Sequence, residues 1–558
     1  MSALFAALLI GMAGLLSWPL GKALVWAMQP GSSPGRFRLR AEAVFLRAAG
    51  FRHAAPEQDW KGYVRALLVF NGIMFAAAYA ALACQHLLPL NPDGRGPLEA
   101  HLLFNTITAF ITNTDLQHYS GEASLSHFSQ LALMWLQFTS AATGLAALTA
   151  LARALSGTPK LGCFMLDLLR AALLVLLPLS LLLAVLLLLC GVPMTFSGAL
   201  SVKTLEGAVQ TIARGPVAAF VAIKQMGTNG GGFFGANSAH PFENPGFISN
   251  MLESVSIPLL PMAAVWMFGH ITQRMRHAAV IFSVMAALLL GQAALSLWAE
   301  SKPAPALAGL PVQVAANMEG KELRFGPAAG PLWAALTTAT SSGSVNCMHD
   351  SLNPLAGLAA MIGMWLNVAF GGIGVGLINM FLYIIVGVFI CGMMVGRSPE
   401  YCSRKVETHE MKLALLALLL HPLLILGGTA LFAVTSWGAG TVHNPGAHGF
   451  SEILYEFSSA AANNGSGFEG LGDNTAPWNI AAGLVMLLGR YLPIILPLAI
   501  AGSLASKKPV PETSGTLRTD TALFGMIILG SVVFIGALLF LPAAVLGPVA
   551  EHLATIKM

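Results

Sequence analysis

Charge is scarce in this chain. Asp, Glu, Lys and Arg make up 10% of its 558 residues, against about 25% in a soluble domain, so it cannot clothe a water-facing surface of that size. Phosphate chemistry is missing too. There is no DKTG sequence to phosphorylate, no GxxxxGK[ST] loop and no large soluble segment to fold around a nucleotide, which excludes ATP hydrolysis by any familiar route. Cysteine is sparse: Cys84, Cys163, Cys190, Cys347, Cys391 and Cys402 form no CxxC pair and lie mostly in or beside apolar runs, as small buried hydrophobes do. His240, His349 and His421 are scattered without ligand spacing, so no metal role follows for them.

What is present points to an all-α integral membrane protein. Hydrophobic residues reach 56% and the mean hydropathy is +0.72. A spanning helix needs about 20 apolar residues, and ten segments qualify, near 3–27, 64–90, 124–152, 168–193, 250–275, 278–299, 354–395, 411–435, 478–505 and 520–547. With the N-terminus placed outside, 20 of the 29 Lys and Arg fall in inner loops, among them Lys22, Arg52, Arg153, Arg397 and Lys507, and 8 outside, among them Lys224 and Lys557. Acidic residues divide the other way, 9 inside and 16 outside. Basic loops are retained in the cytoplasm, so the modest net charge of +4 conceals a sorted distribution. Both termini are predicted on the outer side.

Four long loops share that side, and each carries an apolar stretch too short to span: Leu98 to Ile111, Leu205 to Met226, Leu332 to Ala339 and Phe450 to Ala462. These are candidate re-entrant helices, since irregular backbone at membrane depth is tolerated only where protein buries it or water lines it. Each ends in a polar or glycine-rich tract: Thr112-Asn113-Thr114-Asp115, Thr228-Asn229-Gly230-Gly231-Gly232, Ser341-Ser342-Gly343-Ser344 and Asn463-Asn464-Gly465-Ser466-Gly467. Aligning Asn113, Asn229, Ser342 and Asn464 gives spacings of 116, 113 and 122 residues. The chain therefore reads as four parallel repeats of helix, pore helix, tract and helix, plus one helix at each end.

Backbone carbonyls in such a tract can replace the water shell of a cation. Glycine allows the φ and ψ that turn them toward one axis, and Thr, Ser and Asn anchor the tract through local hydrogen bonds. Neutral dipoles suit a monovalent ion, whereas Ca²⁺ or Mg²⁺ would call for several carboxylates. Only Asp115 lies in a tract. Glu122, Glu243, Asp350, Glu452, Glu456, Glu469 and Asp473 are expected to raise the local cation concentration from outside. The seventh apolar segment is too long for one crossing and holds Gly371, Gly372, Gly374 and Gly376 near its middle, which predicts a broken, gate-like helix. Arg490 is the one basic residue placed near the middle of a span, away from its ends. Such a charge is costly and faces a cavity or a partner; below the tracts it would oppose free cation flow.

The stretches TNTDLQHYSGE (112–122), KQMGTNGGGFFGANSAHPFENP (224–245), SSGSVNCMHDSLNP (341–354), GRSPEY (396–401), SSAAANNGSGFEGL (458–471) and GRYLPII (489–495) resemble the potassium-binding A subunit of the bacterial Kdp potassium-transporting ATPase along essentially the whole chain. The resemblance implies a fold of the potassium-transporter superfamily around a pseudo-fourfold axis. It implies a K⁺ selectivity filter formed by Asn113, Thr114, Asp115, Asn229, Gly230, Gly231, Gly232, Ser342, Gly343, Ser344, Asn464, Gly465 and Ser466, with Thr112, Gln117 and Thr228 beside it. The chain departs from the family's commoner Asn-Trp at Asp115-Leu116, and from Asn at Gly235.

The implied setting is a bacterial inner membrane, where a separate P-type ATPase subunit carries out phosphorylation, with small accessory membrane subunits alongside. Lipid surrounds the chain, which has no nucleic-acid partner and no cofactor beyond the transported K⁺, and is not an enzyme by itself. The expected division is 1–62, first helix and basic loop; 63–153, 154–276, 277–408 and 409–507, the four repeats; and 508–558, the last helix. A stand-alone K⁺ or Na⁺ channel of the same superfamily is the main alternative. A proton-coupled secondary transporter would call for midplane acids or inverted repeats, which this sequence lacks.

Overall fold

The computed structural model describes residues 2–29, 36–48, 50–51, 55–304, 307, 316–396, 398–511 and 517–556. Arg52, Arg397 and Lys557, used above to orient the chain, lie outside them. The described chain is mostly helical: α1 Ser2–Met28, α2 Arg36–Ala48, α3 Trp60–Ala83, α4 Ala100–Ile111, α5 His127–Leu155, α6 Phe164–Leu189, α7 Val217–Met226, α8 Phe247–Ile271 and α9 Met275–Glu300. There follow α10 Gly326–Ala339, α11 Pro354–Leu366, α12 Val375–Val395, α13 Thr408–Val434, α14 Ala447–Ala462, α15 Ala476–Ser506, α16 Ala522–Ala544 and α17 Ala550–Ile556. Among the described residues ten helices are long and apolar enough to cross a membrane. The ten expected spans are all there, the seventh being α12 alone after a break.

Helices α5, α8 and α12 are mostly buried, while less than a third of the most apolar stretch of α1, α3 and α13 is buried. An apolar surface of that kind is stable only against lipid. α1 lies along α8: Gly21 leaves room for Trp266 and the Ala263 carbonyl, and Trp266 Nε1 donates to Ser17 Oγ at 3.0 Å. At the far end Arg153 on α5 pairs with Asp167 on α6 at 2.5 Å and donates to the Met28 carbonyl at 2.8 Å. This buried charge pair ties three helix ends together.

Helices α4, α7, α10 and α14 hold 12, 10, 14 and 16 residues, about 15–24 Å at 1.5 Å per residue, too short to cross about 30 Å of hydrocarbon. Most of their side chains are buried, so protein rather than lipid surrounds them. One boundary differs from expectation. Leu205 to Met226 is not one helix: Leu200–Lys203 and Val209–Ile212 pair as an antiparallel hairpin, and α7 starts only after Pro216, whose ring fits a helix start.

Candidate functional site

All four short helices end in the same turn. The N–H of Thr114 reaches back five residues to the Ala109 carbonyl at 2.9 Å, Asn229 to Lys224 at 3.0 Å, Ser342 to Thr337 at 2.9 Å and Asn464 to Ser459 at 2.9 Å. The residue before each has positive φ (Asn113 62°, Thr228 49°, Ser341 47°, Asn463 54°), as does the residue after (Asp115 53°, Gly230 93°, Gly343 87°, Gly465 107°). The register read from sequence is therefore corrected by one residue in the first tract: Thr114, not Asn113, corresponds to Asn229, Ser342 and Asn464. Matching Asn to Asn misled because Asp115 holds the left-handed position that glycine holds elsewhere. Asp tolerates that conformation better than most side chains, and glycine tolerates it without cost.

The tracts interlock backbone to backbone. A Cβ on Gly230 would strike the Ser342 carbonyl, one on Gly343 the Asn464 carbonyl, and one on Gly465 the Thr114 carbonyl. Between the first and second tracts Asn113 Nδ2 donates to the Thr228 carbonyl at 2.8 Å, and Gly231 N donates to Asp115 Oδ2 at 3.2 Å. Each tract thus touches the next, and the fourth returns to the first. Thr114, Asn229, Ser342 and Asn464 are fully buried, yet among the described residues none of their four carbonyls accepts a hydrogen bond. Buried carbonyls are almost always paired, so the four left unpaired at the equivalent position of each tract are free to face a ligand. The C-terminal ends of α4, α7, α10 and α14 all meet these tracts, adding the negative ends of four helix dipoles.

Side chains hold the ring from behind. Asn463 Nδ2 donates to Thr114 Oγ1 at 2.9 Å, which lies 2.7 Å from Thr112 Oγ1. Asn229 Nδ2 donates to Asn113 Oδ1 at 2.8 Å, Asn464 Nδ2 to the Thr337 carbonyl at 2.9 Å, Ser344 Oγ to Gln225 Oε1 at 2.9 Å, and Ser466 Oγ to Asn464 Oδ1 at 2.5 Å. Gln117 clamps Gly232, accepting from its N–H at 2.8 Å and donating to its carbonyl at 3.1 Å. Gly231 lies against Asp115 and Phe110. Asp115 is buried, with Oδ2 accepting from Gln137 at 2.6 Å and Oδ1 without a partner among the described residues. Burial pushes its pKa well above the usual carboxylate value, and the Gln137 and Gly231 hydrogen bonds only partly oppose this.

Several supporting residues were not singled out in the sequence. Gln137 also donates to the Gly231 carbonyl at 3.2 Å, and Asn237 Nδ2 to the Gly230 carbonyl at 2.7 Å. Lys224 lies behind the second tract, fully buried, 2.5 Å from the fully buried Glu243. The polar run Gln137, Thr139, Ser140 and Thr143 in an otherwise apolar span was the available signal for α5. Glu243, Glu452 and Glu456 are buried and hydrogen-bonded within the protein, which corrects their expected role as solvated charges that attract cations. Sequence spacing could not show that loop acids fold inward onto Lys224, Asn444 and His118.

Beneath the ring the chain breaks between α11 and α12. Residues 367–374 are non-helical, with positive φ at Asn367, Phe370 and Gly374. Gly376 folds against the Gly371 backbone, and Gly374 against the carbonyl of Gly144 on α5; neither approach leaves room for a Cβ. The break is tied to the tracts: Ile373 N donates to Thr228 Oγ1 at 2.9 Å and Ser341 Oγ to Asn367 Oδ1 at 2.8 Å. A cavity below is lined by Asn113, Ser341, Asn463, Asn367, Gly372 and Arg490. Arg490 Nη2 donates to the Ser140 carbonyl at 2.9 Å. Among the described residues no carboxylate lies within ion-pair distance of it.

Comparison with known proteins decides the family. The family model described as Potassium-transporting ATPase A subunit matches residues 7–553. The chain belongs to this family. It is 50% identical over 543 residues to a protein of Geobacillus kaustophilus named potassium-transporting ATPase potassium-binding subunit, covering 97% of each chain. A protein of the same name from Alicyclobacillus acidocaldarius is 49% identical over 542 residues, covering 96% of each. In fold the chain is similar to the potassium transporter TrkH from Vibrio parahaemolyticus, with a TM-score of 0.52 at 13% identity, covering 89% of this chain and 97% of that one. Family membership agrees with the sequence resemblance, and the TrkH likeness with the expected all-α membrane fold.

Proposed function

We propose that this chain binds K⁺ in the ring of four tracts and passes it inward as the potassium-binding, non-hydrolytic subunit of an ATP-driven uptake complex. One observation carries the reading. Thr114, Asn229, Ser342 and Asn464 are buried at equivalent positions of four interlocked tracts, and among the described residues no donor reaches their carbonyls. A dehydrated monovalent cation satisfies all four at once, and neutral ligands let it leave again. The left-handed residues Asp115, Gly230, Gly343 and Gly465 allow the backbones to approach closely enough, and Thr112, Gln117, Gly231, Gly232, Ser344 and Ser466 fix the mouth.

In this reading the break at residues 367–374, which holds Gly371, Gly372 and Gly374 while Gly376 falls in the first turn of α12, is the gate below the ring. Arg490 supplies a fixed positive charge to the cavity under it, so that an ion does not run through unassisted. The subunit sits in a bacterial inner membrane with both termini outside, beside a P-type subunit that hydrolyses ATP and small accessory subunits. The first helix and basic loop are residues 1–62, the four units 63–153, 154–276, 277–408 and 409–507, and the last helix 508–558.

The test is purification of the tagged chain in mild detergent from its native operon. Recovery with a P-type ATPase and K⁺-stimulated phosphate release is the expected result. Isolation alone, with passive K⁺ flux in liposomes, defeats the reading.

A further inference from the structure

We propose that Asp350, His448 and Glu452 form a binding site for a divalent transition-metal ion of the zinc type, between the loop that follows the third tract and the helix that leads into the fourth. One ligand atom from each residue lies within 4.8 Å of the others. His448 Nε2 is 2.9 Å from Asp350 Oδ1. A tetrahedral Zn²⁺ with bonds of about 2.0–2.2 Å places its ligands about 3.4 Å apart, so a small outward movement admits the ion.

Two further features belong to a metal site rather than to a chance cluster. First, Gly470 leaves a cradle: a Cβ there would lie 2.6 Å from Asp350 Oδ2 and 2.9 Å from Glu452 Oε1. The two carboxylates therefore converge on a point that any side chain at 470 would fill. The Asn444 amide now bridges them, donating to Glu452 at 2.8 Å and to Asp350 at 3.4 Å, as a weak substitute for a cation. Second, the far ring nitrogen of His448 is held by Glu551 Oε1 at 2.8 Å. A carboxylate behind the imidazole is the arrangement that orients metal-binding histidines and raises their basicity. A cavity of about 290 Å³, lined by Asp350, Asn444, His448 and Glu551, gives access and room for a fourth, water ligand.

The donor set selects the ion. An imidazole with two carboxylates favours Zn²⁺ and its neighbours over Mg²⁺ or Ca²⁺. Bound metal would tie the loop after the third tract to α14, with Glu551 bringing α17 against the same site.

The test is calorimetric titration of ZnCl₂ into chelator-treated protein, purified in mild detergent with its native partners. We expect one saturable site per chain that releases protons on binding and persists in millimolar Mg²⁺. His448→Gln and Gly470→Ala should each weaken it at least tenfold, and His118→Gln should leave it unchanged. Absence of saturable binding overturns the proposal. So does binding indifferent to both His448→Gln and Gly470→Ala, or binding lost in His118→Gln, which would move the metal to the cluster of His118, Glu456 and Asp473. If His448→Gln does not assemble, Gly470→Ala decides, because it keeps every ligand and fills only the cradle.

Discussion

Gly465 leaves no room for a Cβ beside the Thr114 carbonyl, closing the last tract onto the first across some 350 residues of chain. Gly230 and Gly343 repeat the contact on the second and third tracts, each at a φ that L side chains seldom adopt. Substitution at Gly343 is therefore strained twice, once in its own backbone and once against Asn464. Gly343→Ser should weaken apparent K⁺ affinity at least tenfold, about 1.4 kcal/mol or more, without loss of assembly, and Gly231→Asp, which collides with Asp115, should do likewise. K⁺ dependence of uptake measures both. Unchanged uptake by both variants at low external K⁺ would sink the filter assignment.

Asp115 makes the ring sensitive to pH. Its pKa is raised by burial, so the folded protein favours the neutral acid. Stability is then greatest near and below the ordinary Asp value of about 3.9 and falls as pH climbs toward the raised value, because the unfolded chain ionises first. Asp115→Asn keeps the amide-compatible geometry beside Gln137 and should remove this fall. Melting temperatures of both proteins across the pH range check it, and parallel curves would count against a buried acid.

Arg490 should govern leak rather than folding. It lines the cavity beneath Asn113, Ser341 and Asn463, and its charge is met by the Ser140 carbonyl. Arg490→Gln should assemble and raise ATP-independent K⁺ flux in liposomes several-fold. Flux equal to that of the native protein would show that the charge does not stand in the path.

Lys224 and Glu243 form a fully buried pair behind the second tract. Removing one partner from such a pair costs about 3–5 kcal/mol because the other charge is stranded, whereas removing both is far milder. Lys224→Met should therefore lower thermal stability markedly, and Lys224→Met with Glu243→Met should recover much of the loss. Simple additivity would contradict the pairing.

His118 lies between Glu456 at 3.0 Å and Asp473 at 3.9 Å. Burial opposes its charge, but Asp473 and Glu456 outweigh it, and the pKa is pushed up to about 9. A raised histidine pKa contributes stability in full below the ordinary value of about 6.5, and the contribution is lost as pH rises through about 9. The stability gap between the native protein and His118→Gln should narrow by up to about 3 kcal/mol across that window. Denaturation at several pH values measures it, and a gap independent of pH would remove the ion pair.

The parts legible in the sequence were those with strong local signals. Ten apolar runs, four short helices and the glycines at 371–376 each leave a mark within some 20 residues. The cross-chain contacts left none. Nothing near Gln137 in sequence announces Gly231, and nothing near Gly144 announces Gly374, because these pairs are set by packing between distant helices. The register error at Asn113 has the same origin. The i to i−5 turn is a backbone property, and the one tract that replaces glycine with Asp115 disguises it.

The closing contact between Gly465 and Thr114 also constrains how the protein is made. Thr114 is synthesised early, but its partner leaves the ribosome only after two further tracts. Until then the buried short helices α4, α7 and α10 lack part of their protein surroundings, and lipid cannot stand in for hydrogen-bonding backbone. The first three units must therefore wait, incompletely packed, for the fourth. A chain stopped before Gly465 has no closed ring of tracts and presents an open edge of polar backbone inside the membrane, a ready target for quality-control proteases.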